Sequence, residues 1–275
     1  GAMKAASLGP DYTQRPDNKD LSHLPGAYGL PYLGVMVPML KNPHAVIKRH
    51  HDRYGAVSRT RLTGQHMVWA LGPDYNRELV MDPQQVYSAR MGYDAPLGDF
   101  FAGGLLVRDF AEHKFHRRIM QSAFKTSSMQ HYVHSVNEIA SATVASWRGV
   151  DGFHYYPHIK ELLDIGARVF VGVNLDNEIT PLNRAFLDMM AGTLAIVRKD
   201  WPGLGLVYHR GMNGRRYLER YFQGLVPQRR RDEGMDMMSH FSKETTEEGQ
   251  YFPDKVVADH LIFLVLAAHD TTTSA

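Results

Sequence analysis

One apolar run stands out near the C-terminal end of the chain. Within residues 256–268 almost every position is apolar, and only Asp259 and His260 interrupt the run. A helix that is apolar on nearly all sides belongs in the interior of a large protein, and this run is shorter than the ~18 residues typical of a membrane span. The small residues Ala267 and Ala268 precede a polar turn, Asp-Thr-Thr, at 270–272. Either the helix frays into solvent there, or its polar groups serve a cavity.

Helical periodicity dominates the rest of the chain. Apolar residues recur at helical spacing in four further segments, at 132–147, 157–173, 180 to about 197, and 211–228. Nearer the N-terminus the pattern predicts a helix at 43–55, a β-hairpin at 57–71 with its turn at 63–65, and a short helix at 73–80. Turn formers at 24–34 and polar residues at 236–250 predict irregular segments. The expected fold is mainly α with a small β region.

Composition narrows the functional classes. The 275 residues carry 31 Lys and Arg against 29 Asp and Glu, and a net charge of +2 implies no nucleic-acid partner. The absence of cysteine excludes disulfides, thiolate metal sites and a cysteine nucleophile within these residues. No segment has the pattern of a signal peptide or a transmembrane helix, so we expect a cytoplasmic protein. His50 with His51, and His131 with His134, lack a third ligand, so no metal site is predicted.

A basic segment at 112–124 carries a second pattern. His113 and Arg117 are four residues apart, so both project from one face of a helix. Such a donor pair suits a carboxylate, because Arg can bind it in two places. The alternative is an ordinary solvated basic face. The arginines of a later helix are interpreted in that second way, as a solvated face: Arg215, Arg216, Arg220, Arg229, Arg230 and Arg231.

Both the apolar helix and the basic segment resemble motifs of the cytochromes P450. Residues 267–272, Ala-Ala-His-Asp-Thr-Thr, are similar to the oxygen-activation motif on the central helix of that family. The resemblance implies that Ala267 and Ala268 form a groove for dioxygen, and that Asp270 and Thr271 are catalytic and deliver protons. Residues 112–124 resemble the family's helix that binds the haem propionates, which implies that role for His113 and Arg117.

The resemblance covers about residues 24–275 and implies a P450-like helical domain with haem b as its cofactor. The iron of that family is bound by a cysteine thiolate, and this chain has no cysteine. The family's Glu-x-x-Arg helix and haem-binding loop are missing as well. We therefore expect the amino-terminal portion of a longer P450, truncated within its central helix. Residues 1–23 are expected to be a cloning remnant followed by an irregular leader.

The resemblance further implies where a substrate binds. The loop at 82–109 and the helix from 180 would cover an apolar small molecule that is lipid, steroid or terpenoid-like. The expected contacts are Tyr93, Leu97, Phe100, Phe101, Leu105, Met190 and Leu194. These residues could equally plug a core, since apolar side chains on long loops often do so. The implied function is haem-dependent monooxygenation with electrons from a ferredoxin or a flavoprotein reductase. The alternative is a non-catalytic fragment or pseudoenzyme that binds an apolar ligand without thiolate-ligated haem.

Overall fold

The computed structural model describes residues 20–149, 179–195, 197–246 and 248–273. The described residues of the chain divide into two compact units, one up to Ser88 and one from Ala89 onwards. In chain order its elements are α1 (Met36–Lys41), α2 (Pro43–Tyr54), β1 (Val57–Leu62), β2 (Gln65–Ala70), α3 (Pro73–Met81), α4 (Ala89–Tyr93), α5 (Asp99–Phe101), α6 (Phe110–Gln121), α7 (Thr126–Ser146), α8 (Ile179–Thr193), α9 (Val207–Arg229), α10 (Met237–Lys243) and α11 (Asp254–Thr273). The prediction of a mainly α fold with a small β region is confirmed. The helix predicted at 157–173 lies outside the described residues.

The smaller unit is built from local signals. Asn42 caps α2, since its side-chain oxygen accepts a hydrogen bond from the Ala45 N–H at 2.9 Å, and Pro43 fits the first turn that follows. β1 and β2 pair antiparallel with Leu62 opposite Gln65. The hairpin turn is therefore two residues long, Thr63 and Gly64, and both have positive φ angles, 47° and 81°. The prediction extended this turn by one residue, to Gln65.

The larger unit is held together by a close crossing of α8 and α9. Gly192, Gly211 and Gly214 lie at the contact, where a Cβ at Gly211 would come within 2.8 Å of the Gly192 Cα atom. α8 ends at Thr193, earlier than predicted. Beyond it the backbone hydrogen bonds join residues three apart, as from the Leu194 N–H to the Ala191 carbonyl, which is the geometry of a 3₁₀ turn rather than of an α-helix. The small residues thus allow two helix backbones to approach closely.

α11 is the buried helix that its apolar pattern predicts. Six consecutive residues, 257–262, are each buried, so that the whole circumference of the helix is covered there. None of the helices in the described residues combines the length and apolarity needed to cross a lipid bilayer.

The segment at 236–250 differs from its prediction as an irregular region. It contains α10, which begins after Asp236, whose carboxylate accepts a hydrogen bond from the Ser239 N–H at 2.9 Å. Met237, Met238 and Phe241 of this helix are buried in the core. The prediction was wrong here because seven residues are too few to show helical periodicity among polar neighbours.

Candidate functional site

α6 places His113 and Arg117 one turn apart, as their spacing predicts. His113 is partly buried and Arg117 is exposed. Burial, and after it the neighbouring Arg117 guanidinium, lowers the pKa of His113 below its usual value. Among the residues that the structure describes, Arg117 forms no ion pair. A neutral imidazole beside a guanidinium that forms no ion pair within the described residues offers several N–H donors and one positive charge to an anionic group.

The adjoining face of α6, about 60° around the helix from His113, is buried and carries His116, a residue with no role assigned from the sequence. His116 Nδ1 lies 2.9 Å from His260 Nε2 of α11. Burial, with a smaller contribution from Arg108, lowers the pKa of His116 to about 4. Burial, followed by His116 and Arg108, lowers that of His260 to about 3. Both rings are therefore neutral at pH 7, and one donates to the other. The sequence carried one signal for this buried contact, because His260 interrupts an apolar run.

The predicted oxygen groove and catalytic pair lie on α11. This helix runs to Thr273, so residues 267–272 continue it beyond His260. Ala267 is partly buried. The side chains of Ala268, Asp270 and Thr271 lie outside the described residues. α6 contacts α11 at His260, which precedes Asp270 by ten residues. Ten residues correspond to a rise of roughly 15 Å along the helix axis.

The predicted substrate contacts fall into three groups by exposure. Phe100 and Phe101 are 0% and 1% exposed and belong to the core. Leu97, Leu105 and Met190 are partly buried and pack against that core. Tyr93 and Leu194 are exposed, at 42% and 84%. The described residues thus do not bring all seven side chains together, and their contact with a substrate stays a prediction.

Phe100 fits into the crossing of α8 and α9. A Cβ at Gly192 would come within 2.7 Å of the Phe100 Cζ atom, so only glycine leaves room for the ring. Tyr208 packs edge-on against the same ring with centroids 5.4 Å apart. Phe100 therefore anchors the segment between α4 and α6 to the helix pair.

Arg215 corrects the prediction of a solvated arginine face on α9. The residue is 4% exposed, and its side chain forms an ion pair with Asp259 of α11, a residue that is 5% exposed. The reason lies in helical spacing, because Arg215 shares one face with Gly211 and Leu218, which are both buried. The neighbouring Arg216 is exposed, as predicted.

The same ion pair lies beneath the loop that follows α5. Arg215 also donates to the Ala102 carbonyl at 3.4 Å. Arg108 donates twice to the Gly103 carbonyl, from Nε at 3.0 Å and from Nη2 at 2.8 Å. Gly103 has a φ of 81°, and a Cβ there would overlap the Asp259 carboxylate. Arg215 thus links this loop to Asp259 of α11, while Arg108 holds the loop from within.

A polar cluster joins the same loop to the connection between α8 and α9. The Asp99 carboxylate accepts hydrogen bonds from the Tyr208 hydroxyl at 2.6 Å and from Arg198 Nη2 at 3.0 Å. Burial and the hydrogen bond to Asp99 raise the pKa of Tyr208 to about 12, so its hydroxyl stays a donor at neutral pH. Unlike the pair at Arg215, this contact is partly open to solvent.

The donors on α6 suit the propionates of a haem. His113 can donate a hydrogen bond, and Arg117 carries a positive charge. No acidic side chain of the described residues forms an ion pair with Arg117. The thiolate that binds the iron in the P450 family cannot come from these 275 residues, which contain no cysteine. Within the described part of the chain, no group of three metal-ligating side chains occurs.

Comparison with known proteins gives the family. The sequence model of the family described as Cytochrome P450 matches residues 24–275. The chain belongs to the cytochrome P450 family. It is 35% identical over 265 residues to cytochrome P450 136 of Mycobacterium tuberculosis, an alignment that covers 94% of this chain and 53% of that protein. The predicted membership, based on the motifs at 112–124 and 267–272, is confirmed.

More distant P450s share the fold. The solved structure of retinoic acid bound cyanobacterial CYP120A1 superimposes with a TM-score of 0.76 at 20% identity, covering 91% of this chain and 57% of that one. Abscisic acid 8'-hydroxylase 4 of Arabidopsis thaliana is 23% identical, covering 91% of this chain and 53% of that protein. The predicted P450-like helical fold is confirmed. The chain spans about half the length of these P450s.

Proposed function

We propose that the protein to which this chain belongs is a haem-dependent monooxygenase that inserts one atom of O₂ into an apolar small molecule. The observation that carries the proposal is the contact between α6 and α11. His113 and Arg117 lie on α6, which contacts through His116 and His260 the helix that continues to residues 267–272, and this supports a common site. A bound haem supplies the binding and reductive activation of O₂, with an iron ligand from outside these residues.

Each residue of the site has one proposed task. His113 and Arg117 hold the haem propionates through hydrogen bonds and charge. The small side chains of Ala267 and Ala268 leave space beside the haem. Asp270 supplies protons, and the Thr271 hydroxyl orients the water that carries them.

The names of relatives support an apolar substrate. They include an abscisic acid hydroxylase, a beta-amyrin 28-monooxygenase and a taxane 10-beta-hydroxylase, at 22–24% identity. By this proposal a lipid-, steroid- or terpenoid-like molecule contacts the loop of Tyr93, Leu97, Phe100, Phe101 and Leu105, together with Met190 and Leu194. Electrons come from a ferredoxin or a flavoprotein reductase, and the protein is cytoplasmic.

Haem binding by the complete protein tests the proposal. After reduction and exposure to carbon monoxide, it is expected to show the thiolate-type absorption band that gives the family its name. Arg117→Leu should weaken haem retention, whereas Arg118→Leu, which removes the exposed neighbour, should not. A complete protein that takes up no haem would support the non-catalytic alternative instead. Haem retention that is indifferent to His113→Leu and Arg117→Leu would refute the propionate assignment.

A further inference from the structure

We infer that His116 and His260 are positioning residues, whose hydrogen bond holds α6 on α11 so that His113 and Arg117 stay aligned for the haem propionates. The inference rests on the proposed function. It gives a role to two buried titratable side chains that neither the propionate site nor the oxygen motif uses.

The contact between His116 and His260 is short, buried and packed by a neighbouring aromatic ring. The rings lie 2.9 Å apart between Nδ1 of His116 and Nε2 of His260, with their centroids at 5.0 Å. The side chains are 7% and 2% exposed, so water does not compete for the bond. Phe115 packs edge-on against His116 at 5.3 Å and against Phe252 at 5.7 Å, which limits the motion of the first ring.

Because His116 lies on α6, its contact with His260 also affects the positions of His113 and Arg117. His116 follows His113 by three residues and precedes Arg117 directly, so the three occupy little more than one helical turn. A rotation or slide of α6 that breaks the contact with His260 therefore moves both donors. Such partners behind a cofactor-binding residue orient it without touching the cofactor.

The charge state fits a positioning role. Arg108 is the charged group whose field acts on both rings, and it is itself paired with Glu112. A second positive charge on either imidazole would be opposed by Arg108 and by burial. In the neutral pair one ring nitrogen donates and the other accepts, and this hydrogen bond sets the orientation of the two rings relative to each other.

Two substitutions of equal polarity separate positioning from general stability. His260→Gln places an amide near the position of Nε2 and keeps the bond to His116, whereas His260→Asn is shorter and loses it. In the complete protein, the rate of haem transfer to apomyoglobin is measured well below each variant's melting temperature. We expect His260→Asn to release haem about tenfold faster than wild type, and His260→Gln to release it at nearly the wild-type rate. The exposed His134→Asn is the control for loss of a histidine.

A double-mutant cycle with Arg117→Leu completes the test. If His260 acts through the propionate donors, His260→Asn should add little to the haem loss of Arg117→Leu. Equal haem release from His260→Asn and His260→Gln, or fully additive effects, would overturn the positioning role while leaving the propionate site intact. If Arg117→Leu and His113→Leu themselves leave haem retention unchanged, the proposed function fails, and the inference fails with it.

Discussion

Arg215 of α9 and Asp259 of α11 form an ion pair in which each side chain is only 5% exposed. Burial makes this pair costly to break, because removal of one partner leaves the other charge away from water with only a longer contact to a counter-ion. Lys255 and Glu219 lie at its solvent side, where Lys255 reaches Asp259 at 3.3 Å and Glu219 at 2.8 Å. The pair therefore joins two helices and the loop at 102–103 through charge rather than through apolar contact alone.

Substitution of Arg215 should destabilise the protein far more than substitution of its neighbour. Arg215→Leu is expected to lower the free energy of unfolding by up to about 3–5 kcal/mol, since Asp259 stays buried and keeps only its longer contact with the half-exposed Lys255. Arg216→Leu removes a half-exposed pair with Asp200 and should cost less than about 1 kcal/mol. Urea denaturation of both variants measures the difference. Similar losses would show that the Arg215 pair is solvated in solution.

Gly103 should tolerate a side chain less well than another glycine of the same backbone conformation. Gly103 and Gly203 have φ angles of 81° and 84°, but only Gly103 faces a neighbour, the Asp259 carboxylate. Gly203→Ala should therefore cost about 1 kcal/mol of unfolding free energy for backbone strain. Gly103→Ala should cost about 1–3 kcal/mol more, because the loop or α11 must shift. Equal effects of the two substitutions on urea denaturation would contradict the close contact.

The sequence predicted α11 as a buried helix but did not predict that Arg215 of α9 pairs with its Asp259. Eleven apolar residues among the thirteen positions 256–268 leave little choice except a buried helix. The missed ion pair had a signal of its own, since Asp259 interrupts that run and Arg215 interrupts the buried face of α9. Which basic residue would meet Asp259 depended on the packing of the two helices. That packing brings together residues 44 positions apart, and no local pattern encodes it.

Helix α6 likewise combines a local relation that the sequence predicts with a distant contact that it does not. The i, i+4 spacing of His113 and Arg117 sufficed to place both on one face of α6, because that relation is local. The bond from His116 to His260 spans 144 positions and became visible only in the folded chain. Local geometry was therefore predictable, whereas buried polar contacts between distant segments were not.

Stability should fall as the pH drops below 6.5, with His116 and His260 contributing strongly. Their pKa values are lowered to about 4 and about 3 in the folded protein, from a usual value of 6.5. Above pH 6.5 both states are neutral and the full stability is present. Below it the unfolded chain binds protons that the folded protein does not, so each group removes up to about 1.4 kcal/mol per pH unit. Urea denaturation between pH 7.5 and pH 5 measures this slope.

Replacement of the pair isolates its share of that slope. His50, His113 and His240 also have lowered pKa values and contribute to the same pH window. The double variant His116→Asn with His260→Gln should still unfold cooperatively but with a visibly shallower pH dependence. His134→Gln, which changes a side chain that is 77% exposed, should leave the slope as it is. An unaltered slope in the double variant would mean that the two rings titrate freely in the folded state.

Asp99 should control the opening of the loop against the α8–α9 connection. Asp99→Asn removes the charge that Arg198 and the Tyr208 hydroxyl share, while the fully buried Phe100 beside it is kept. Amide hydrogen exchange should become faster at 99–108 and at 197–208, since these contacts oppose local opening. Asp94→Asn, on the same segment, serves as the control. Exchange that stays at the wild-type rate in both regions would show that Phe100 alone holds the loop.

Thr271 should govern how efficiently the complete enzyme couples electrons to product. Proton delivery by a positioned donor contributes roughly 10²–10⁴-fold to a rate, and Thr271 with Asp270 is the pair that we propose for that task. Thr271→Ala should therefore leave haem content and substrate binding nearly unchanged. Product formed per reduced cofactor consumed should fall, and free hydrogen peroxide should rise by a matching amount.

Thr273→Ala provides the control for Thr271→Ala. It removes the same hydroxyl two residues further along α11, roughly 200° around the helix axis, so it should leave coupling intact. A purely structural role of Thr271 predicts the opposite pattern, a lowered melting temperature with an unchanged ratio of product to cofactor. Parallel measurement of both ratios and both melting temperatures distinguishes the two roles. An unchanged ratio in Thr271→Ala would exclude Thr271 from proton delivery, because a lost donor must divert electrons from product to peroxide.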